Sequence, residues 1–252
     1  MVKTFNHQPV QLEGVALLAA PSARSQAYIQ ALAYNGMYPQ NVIWLGQNRV
    51  ANHRHRDIPN TDKWEDIVLP NLEESVDQTC YRVGIPMISC RASNINDDAV
   101  LKCIREIAPH ILIYSGFGGQ IVSGKMLSIG PKFLHMHSGW LPEYRGSTTL
   151  YYALLKNELP AVTAIFLDTS IDTGPVVAKR HYPKPSYGID IDRCYDSAIR
   201  ADLLVRVMRE YVRTGRIDIL EEQIPGTGET YYVIHPVLKH LAILSLKNSK
   251  GS

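Results

Sequence analysis

His110-Ile-Leu-Ile-Tyr-Ser-Gly-Phe-Gly-Gly-Gln120 is the stretch that decides the fold. A continuous apolar run over 110–114 is typical of a strand buried on both faces, and a glycine-rich turn follows it. Residues 15–20, 42–45 and 85–90 have the same strand-like character, and helix-like segments at 25–34 and 96–107 lie between them. Buried strands that alternate with amphipathic helices predict a Rossmann-like α/β domain, with a mostly parallel sheet flanked by helices.

The predicted sheet indicates where a ligand binds. In open parallel sheets, ligands bind beyond the carboxyl ends of the strands. Those ends fall just after Ala20, Tyr114 and Leu134. We therefore expect the chemistry at these three positions, although the pattern by itself names no reaction.

The chain divides into a main domain over 1–185 and a C-terminal helical extension over 186–252. In the extension, the periodicity predicts a long helix over 191–213, which Gly215 ends, and a short helix over 237–246. Pro236 suits the first turn of the second helix. Residues 47–84 are polar, with a helix-like stretch at 69–81, and we interpret them as a surface insertion of unknown role.

Composition excludes several classes of protein. The 252 residues are 45% hydrophobic and 20% charged with a net charge of +2, which is globular and carries no nucleic-acid signature. The polar N-terminus lacks a signal-peptide core, and no apolar run is long enough for a membrane span. Four scattered cysteines suggest reduced thiols. We expect a cytoplasmic protein without nucleic-acid or membrane partners; its oligomeric state stays open, a homodimer being one option.

The candidate functional residues are His135, His137 and Asp172. Residues i and i+2 of a strand share a face, so the two imidazoles would point into one pocket. Asp172 lies in a turn between two strand-like segments, 161–167 and 176–178. Three interpretations follow: acyl transfer with an imidazole and a carboxylate, a zinc site, or structural histidines that satisfy hydrogen bonds. Spacing alone leaves all three open.

The flanking residues resemble the 10-formyltetrahydrofolate-dependent formyltransferase family. Its signature runs Asn-x-His-Pro-Ser-Leu-Leu-Pro-x-Tyr/Phe-Arg-Gly, with Asp-x-Gly-Pro-Ile downstream. Here Leu141-Pro-Glu-Tyr-Arg-Gly146 and Asp172-Thr-Gly-Pro-Val176 match those two motifs in the same order. In size and tail the chain is most similar to the sugar-nucleotide N-formyltransferases. The resemblance implies an enzyme that moves a formyl group from the folate donor to an amine.

Carried over position by position, the resemblance makes His137 the catalytic histidine and Asp172 the catalytic aspartate. The family's asparagine falls on His135, and its proline after the histidine falls on Ser138. That asparagine donates a hydrogen bond to the developing oxyanion, and a histidine can also donate one. His135 is therefore the third catalytic candidate, which preserves, alters or abolishes the transfer. No metal is expected.

The resemblance also implies two binding regions. The folate donor would lie against the loop after the strand at 110–114 and the loop that carries the catalytic aspartate. Its candidate contacts are Gly116, Gly118, Gly119, Gln120, Ile121, Asp168 and Ser170. Candidates for contact with the acceptor are Trp140, Tyr144, Arg145, Ser22 and Arg24.

The expected acceptor is a small amine, on a nucleotide-linked amino sugar. Only about 65 residues follow the core, too few for the C-terminal domain that the resemblance implies for an enzyme acting on tRNA. Two alternatives stay open. One is a 10-formyltetrahydrofolate hydrolase, and the other is a catalytically altered or silent ligand-binding relative.

Overall fold

A computed structural model describes the protein over residues 9–46 and 63–249. In chain order, the strands are β1 (Val10–Ala19), β2 (Met37–Trp44), β3 (Lys63–Trp64), β4 (Ile67–Val68), β5 (Met87–Ser89), β6 (Ile111–Ser115), β7 (Lys132–His137), β8 (Tyr144–Gly146), β9 (Ala161–Phe166), β10 (Val176–His181) and β11 (Glu229–Tyr231). The helices are α1 (Ala23–Tyr34), α2 (Val76–Val83), α3 (Asp98–Ile107), α4 (Gly124–Leu127), α5 (Thr149–Leu155), α6 (Asp196–Thr214) and α7 (Pro236–Ser245). A π-helical turn, Ile191–Tyr195, leads into α6, and a 3₁₀ turn, Leu246–Ser249, follows α7.

Seven strands form the main sheet in the order β10-β9-β7-β6-β1-β2-β5. The pairs from β7 to β5 are all parallel, whereas β9 is antiparallel to both β7 and β10. The predicted mostly parallel, helix-flanked sheet is confirmed. Because β1, β6 and β7 are neighbours, their carboxyl ends meet at one edge.

Alternation along β1 explains why both faces of the sheet are covered. Leu17 belongs to the apolar cluster that includes residues of α1 and α6, whereas Leu18 belongs to the cluster that includes residues of α3. Both side chains are fully buried. A strand whose successive side chains are buried on opposite faces needs helices on both, and this accounts for its unbroken apolar sequence.

The extension after residue 185 packs against the main domain. Its long helix α6 contributes buried side chains to the same cluster as α1. The segment between α6 and α7 returns to the loop that follows β7, where β11 pairs in parallel with β8 in a separate two-stranded sheet. The boundary at 185 stays a prediction. Among the helices of the described ranges, none is long and apolar enough to cross a membrane.

The segment 47–84 is described only from residue 63. There it contains the β3–β4 hairpin and α2, which begins at Val76 rather than near Leu69. A capping box between Ser75 and Gln78 fixes that start, because each residue satisfies a backbone N–H of the other. A stretch rich in basic residues, Asn52-His-Arg-His-Arg56, lies outside the described residues.

Candidate functional site

Two imidazoles lie at the carboxyl end of β7, as the i and i+2 spacing predicts. The ring centroids of His135 and His137 are 6.4 Å apart. His137 is buried, with 4% of its surface exposed, and His135 is partly buried. The pair stands at the edge where β1, β6 and β7 end, which is where parallel sheets bind ligands.

Asp172 reaches this pair from the turn between β9 and β10. Its backbone is left-handed, with φ of 54°, which is uncommon for a residue other than glycine. One carboxylate oxygen, Oδ2, lies 3.3 Å from Nδ1 of His137 and accepts a hydrogen bond from the Gly146 N–H at 2.8 Å. The catalytic turn, defined here as residues 168–175, thus brings a carboxylate onto the imidazole that the sequence predicted as its partner.

Both ring nitrogens of His137 have partners in the protein. Nε2 lies 2.6 Å from the Tyr144 carbonyl oxygen, which can only accept, so Nε2 carries a proton. Nδ1 faces the Asp172 carboxylate, so a second proton on the ring makes this contact an ion pair. The His137 ring is therefore held between a backbone carbonyl and the Asp172 carboxylate.

The electrostatics of the two histidines differ. Burial by itself raises the pKa of the Asp172 carboxyl, but the charge and hydrogen bond of His137, together with His135 and the Gly146 N–H, hold that pKa well below its usual range. Burial, reinforced by Arg24, lowers the pKa of His135 well below its ordinary value. His135 is thus neutral near pH 7, and its buried Nδ1 has no hydrogen-bond partner within residues 9–46 and 63–249.

The same three residues have the composition of a metal site. His135, His137 and Asp172 each offer a ligand atom, and these atoms lie within 4.8 Å of one another. However, Arg24 and Arg200 both lower the pKa of His135 through their positive charge. A potential that disfavours a proton on this imidazole also disfavours a metal cation, so the arrangement fits acyl transfer better than zinc chemistry.

Sequence reasoning missed the residues that support the end of β7. Arg200 of α6 donates to the Met136 carbonyl at 2.9 Å and pairs with Asp196 at 2.8 Å. Asp196 in turn accepts a hydrogen bond from the Ser138 hydroxyl. Burial alone would lower the pKa of Arg200, but Asp196 raises it. The signal for these residues is a charged i,i+4 pair on a helix whose neighbouring positions are buried.

The loop after β6 presents open backbone. A Cβ atom added at Gly118 or Gly119 would meet no atom within 4 Å, whereas one at Gly116 would lie 2.5 Å from the Tyr114 hydroxyl. A side chain at position 116 would therefore collide with Tyr114, which explains the glycine. The Gln120 side chain accepts from the Ile95 N–H and donates to the Ser93 carbonyl, while Ile121 is 60% exposed.

The first part of the catalytic turn lies beside the start of α4, which follows the glycine loop in the chain. A Cβ atom at Gly124, the first residue of α4, would lie 3.7 Å from the Thr169 methyl group. The Asp168 carboxylate accepts hydrogen bonds from the Ser170 N–H at 3.1 Å and the Thr173 hydroxyl at 2.8 Å, so these residues stabilise their own turn. Contact of either loop with the donor stays a prediction.

Ser22 and Arg24 lie at the start of α1. Ser22 is its N-cap and accepts a hydrogen bond from the Ser25 N–H at 3.2 Å. Arg24 points toward β6, where it donates to the Gly116 carbonyl at 2.6 Å and the Ser115 hydroxyl at 3.2 Å. Within the described ranges Arg24 forms no salt bridge, and burial lowers the pKa of its guanidinium.

The three acceptor candidates after β7 all have partners inside the protein. Trp140 stacks on His181 with ring centroids 4.2 Å apart. The Tyr144 hydroxyl donates to Glu158 at 2.6 Å. Arg145 is buried and donates to the Gln223 side chain and to the Thr227 carbonyl. Tyr144 and Arg145 hold the loop, and contact of any of the three with an acceptor stays a prediction.

One protein-family model matches more than half of the chain. Residues 19–185 match the family model described as "Formyl transferase". Among curated proteins, the methionyl-tRNA formyltransferase of Pelobacter propionicus is 32% identical over 128 residues, 49% of this chain and 39% of its own length. That of Trichlorobacter lovleyi is 31% identical over 147 residues, 56% of this chain and 45% of its own. The chain thus spans less than half the length of these relatives.

Solved structures share the fold at low sequence identity. Glycinamide ribonucleotide transformylase 1 from Symbiobacterium toebii aligns with a TM-score of 0.55 and 16% identity, over 84% of this chain and 94% of its own. A sugar N-formyltransferase from Shewanella sp FDAARGOS_354 aligns with a TM-score of 0.52 and 12% identity, over 92% and 87%. At such identities the likeness concerns the fold alone.

Proposed function

Because the chain belongs to the formyl transferase family, we propose that it transfers a formyl group from 10-formyltetrahydrofolate to an amine of a small acceptor. The observation that carries this proposal is the buried pair of His137 and Asp172, 3.3 Å apart at the ligand-binding edge of the sheet. The neutral imidazole of His135 stands beside them. An ionised carboxylate, a proton-carrying imidazole and a neutral donor are the groups that acyl transfer to an amine requires.

The residues divide the work according to their environments. When bound, the donor supplies the formyl group, whose carbon the amine attacks. His135 donates a hydrogen bond to the oxygen that gains negative charge, and a neutral imidazole has one N–H for this purpose. The ionised Asp172, held in place by His137, accepts the proton that the amine loses and returns it to the departing nitrogen. One carbon–nitrogen bond forms, one breaks, and no net proton is consumed. No metal takes part in this proposal.

The donor site is proposed at the loops 116–121 and 168–170. Gly118 and Gly119 leave their backbone open, which suits the approach of a flat ring system. Gln120 is held by residues 93–95, so it helps to fix the shape of this loop. Asp168 fixes the second of these loops through Ser170 and Thr173.

We propose a nucleotide-linked amino sugar as the acceptor. The support is Arg24, a partly buried guanidinium without a salt bridge in the described ranges, at the N-terminus of α1 near His135. An arginine and a helix N-terminus together favour a phosphate or another anionic group. Cytoplasmic location belongs to the same proposal, and four unpaired cysteines support it.

The experiment is a transfer assay read by mass spectrometry. The protein is incubated with 10-formyltetrahydrofolate and, in separate arms, a nucleotide-linked amino sugar, the free amino sugar, glycinamide ribonucleotide and methionyl-tRNA. The expected product is the nucleotide-linked sugar with one N–H replaced by N–CHO, formed at least about tenfold faster than the other products. His137→Ala serves as the inactive control.

Other outcomes of this assay contradict parts of the proposal. Formylated methionyl-tRNA as the main product would overturn the acceptor assignment while leaving formyl transfer intact. Release of formate at the same rate with and without acceptor would indicate the hydrolase. If no folate raises the melting temperature of the protein and no product forms, the chain is a silent relative and the proposed function is wrong.

A further inference from the structure

The segment between α6 and α7 contacts the catalytic turn directly. Residues 221–231 are called here the return segment. At one end, Glu221 forms a β-bridge with Val176, the residue just after the catalytic turn. At the other end, β11 pairs with β8, which contains Gly146, the donor to the Asp172 carboxylate. The return segment thus pairs both with Val176, next to the catalytic turn, and with Gly146, whose N–H binds Asp172.

Gln223 makes three hydrogen bonds at the centre of this arrangement. Its side-chain NH₂ donates to the Asp172 carbonyl at 2.9 Å and to the Gly174 carbonyl at 2.8 Å. Its side-chain oxygen accepts from Arg145 at 3.0 Å. The partners fix the orientation of the amide, because carbonyls require the NH₂ group and a guanidinium requires the oxygen.

These bonds act on a strained residue. A left-handed backbone is unfavourable for a residue other than glycine, so Asp172 needs contacts that hold it there. The donation of Gln223 to its carbonyl is such a contact, and the bond to Gly174 fixes the next part of the turn. If the turn relaxes, the carboxylate moves away from Nδ1 of His137.

The return segment is itself tightly fixed. Arg145 donates to the Thr227 carbonyl as well as to Gln223. Gly228 packs so closely on the Pro142 carbonyl that a Cβ atom there would overlap it. The segment therefore forms a rigid support behind Asp172.

We propose that Gln223 is a positioning residue, which holds Asp172 on His137 by fixing the backbone of the catalytic turn. This inference rests on the proposed function for its effect on rate. Its structural part, the placement of the carboxylate, does not depend on which reaction the site performs.

The test compares Gln223→Met with the wild type. Methionine keeps the length and volume of glutamine but makes none of its three hydrogen bonds. We expect kcat to fall about 10- to 100-fold with KM changed less than about threefold, because the pair acts in the transition state rather than in binding. Glu222→Gln, a change at the adjacent exposed position, is the matched control and should keep wild-type kcat.

Two readouts do not need activity. By NMR, the pKa of the Asp172 carboxyl should rise in Gln223→Met toward its ordinary value, because the carboxylate loses part of its contact with His137. The Gly146 amide, which donates to that carboxylate, should exchange with deuterium faster than in the wild type. If the wild type shows no transfer, the proposed function fails, but these readouts still decide the role of Gln223.

Gln223→Glu keeps the acceptor for Arg145 and removes both donations to the turn. It should be at least as impaired as Gln223→Met at pH 8. Wild-type kcat in either variant, or an unchanged Asp172 pKa and Gly146 exchange in a variant that melts within a few degrees of the wild type, would overturn the inference. If Gln223→Met fails to fold, Gln223→Glu carries the test.

Discussion

The two sides of the candidate site differ in how many of their polar atoms have hydrogen-bond partners within the protein. On the Asp172 side, both nitrogens of His137 and one carboxylate oxygen of Asp172 have partners within 3.3 Å. On the His135 side, Nδ1 of the imidazole and the hydroxyl of Tyr114 are buried without a hydrogen-bond partner among the described residues. Paired groups hold charges in place, whereas unpaired polar atoms beside them leave hydrogen-bonding capacity for a substrate. We infer that proton transfer belongs to the first side and oxyanion binding to the second.

The largest effect is expected from breaking the Asp172 side. Asp172→Asn keeps the shape but removes the negative charge that faces His137. We expect kcat/KM to fall about 10³-fold or more, since a neutral amide cannot accept the proton or stabilise the imidazolium. Asp98→Asn, which alters a carboxylate exposed on α3 and paired with Lys125, should stay within about twofold of the wild type. Comparable losses in the two variants would place the chemistry elsewhere.

The His135 side should tolerate an exchange of its donor. His135→Asn supplies the amide that the resemblance in the sequence predicts at this position, and we expect activity equal to or above that of the wild type. His135→Ala removes the donor, and kcat should fall about 10- to 100-fold. A loss of activity in His135→Asn would mean that this imidazole performs chemistry that an amide cannot, and the division between the two sides would be wrong.

Acid should act on the two sides in different pH ranges. The pKa of His135 is lowered in the folded protein, so below about pH 6.5 the unfolded chain binds a proton that the folded chain does not. The free energy of unfolding therefore decreases as the pH is lowered below this value. Asp172 also has a lowered pKa, but its contribution is complete above about pH 4 and is lost only as pH falls through the folded pKa.

The His135 component is measured by urea unfolding between pH 7 and 5. Protonation of His135 in the unfolded chain lowers the free energy of unfolding by at most about 1.4 kcal/mol for each unit by which the pH decreases. His135→Asn should reduce the slope of that free energy against pH by this component. Identical slopes in the two proteins would show that His135 titrates as an ordinary exposed histidine.

The smallest effect is expected at Tyr114. Tyr114→Phe removes a buried hydroxyl that has no partner in the described ranges, so the free energy of unfolding should be unchanged or rise by up to about 1 kcal/mol. Activity should stay within about threefold, because we assign the hydrogen bond to the oxyanion to His135 and not to Tyr114. A loss of more than about 1 kcal/mol would show that the hydroxyl has a partner in solution, and that the His135 side is more fully satisfied than the structure indicates.

The sheet and the catalytic pair were predictable because their sequence signals are local. The apolar runs at 15–20 and 110–114 identify β1 and β6, and the i,i+2 spacing puts His135 and His137 on one face. The antiparallel direction of β9 and β10 was not predicted, because a short apolar strand has the same pattern in either direction. Strand direction depends on the connection, which composition does not specify.

The return segment shows the opposite case. Residues 221–231 have no hydrophobic period, so nothing in their sequence indicates that they line a site. Gln223 is recognisable only through partners 51 and 78 positions away in the chain. Long-range polar contacts of this kind follow from the completed fold, and a single sequence carries no record of them.

A double-mutant cycle on formyl transfer tests the central claim most directly. The rate of formation of the N-formyl product from 10-formyltetrahydrofolate is measured for the wild type, His137→Ala, Asp172→Ala and the double variant. If the two residues work as one unit, each single change removes nearly all of the activity and the double variant loses little more. Losses that multiply, or a wild type that transfers no formyl group to any amine, would contradict the account.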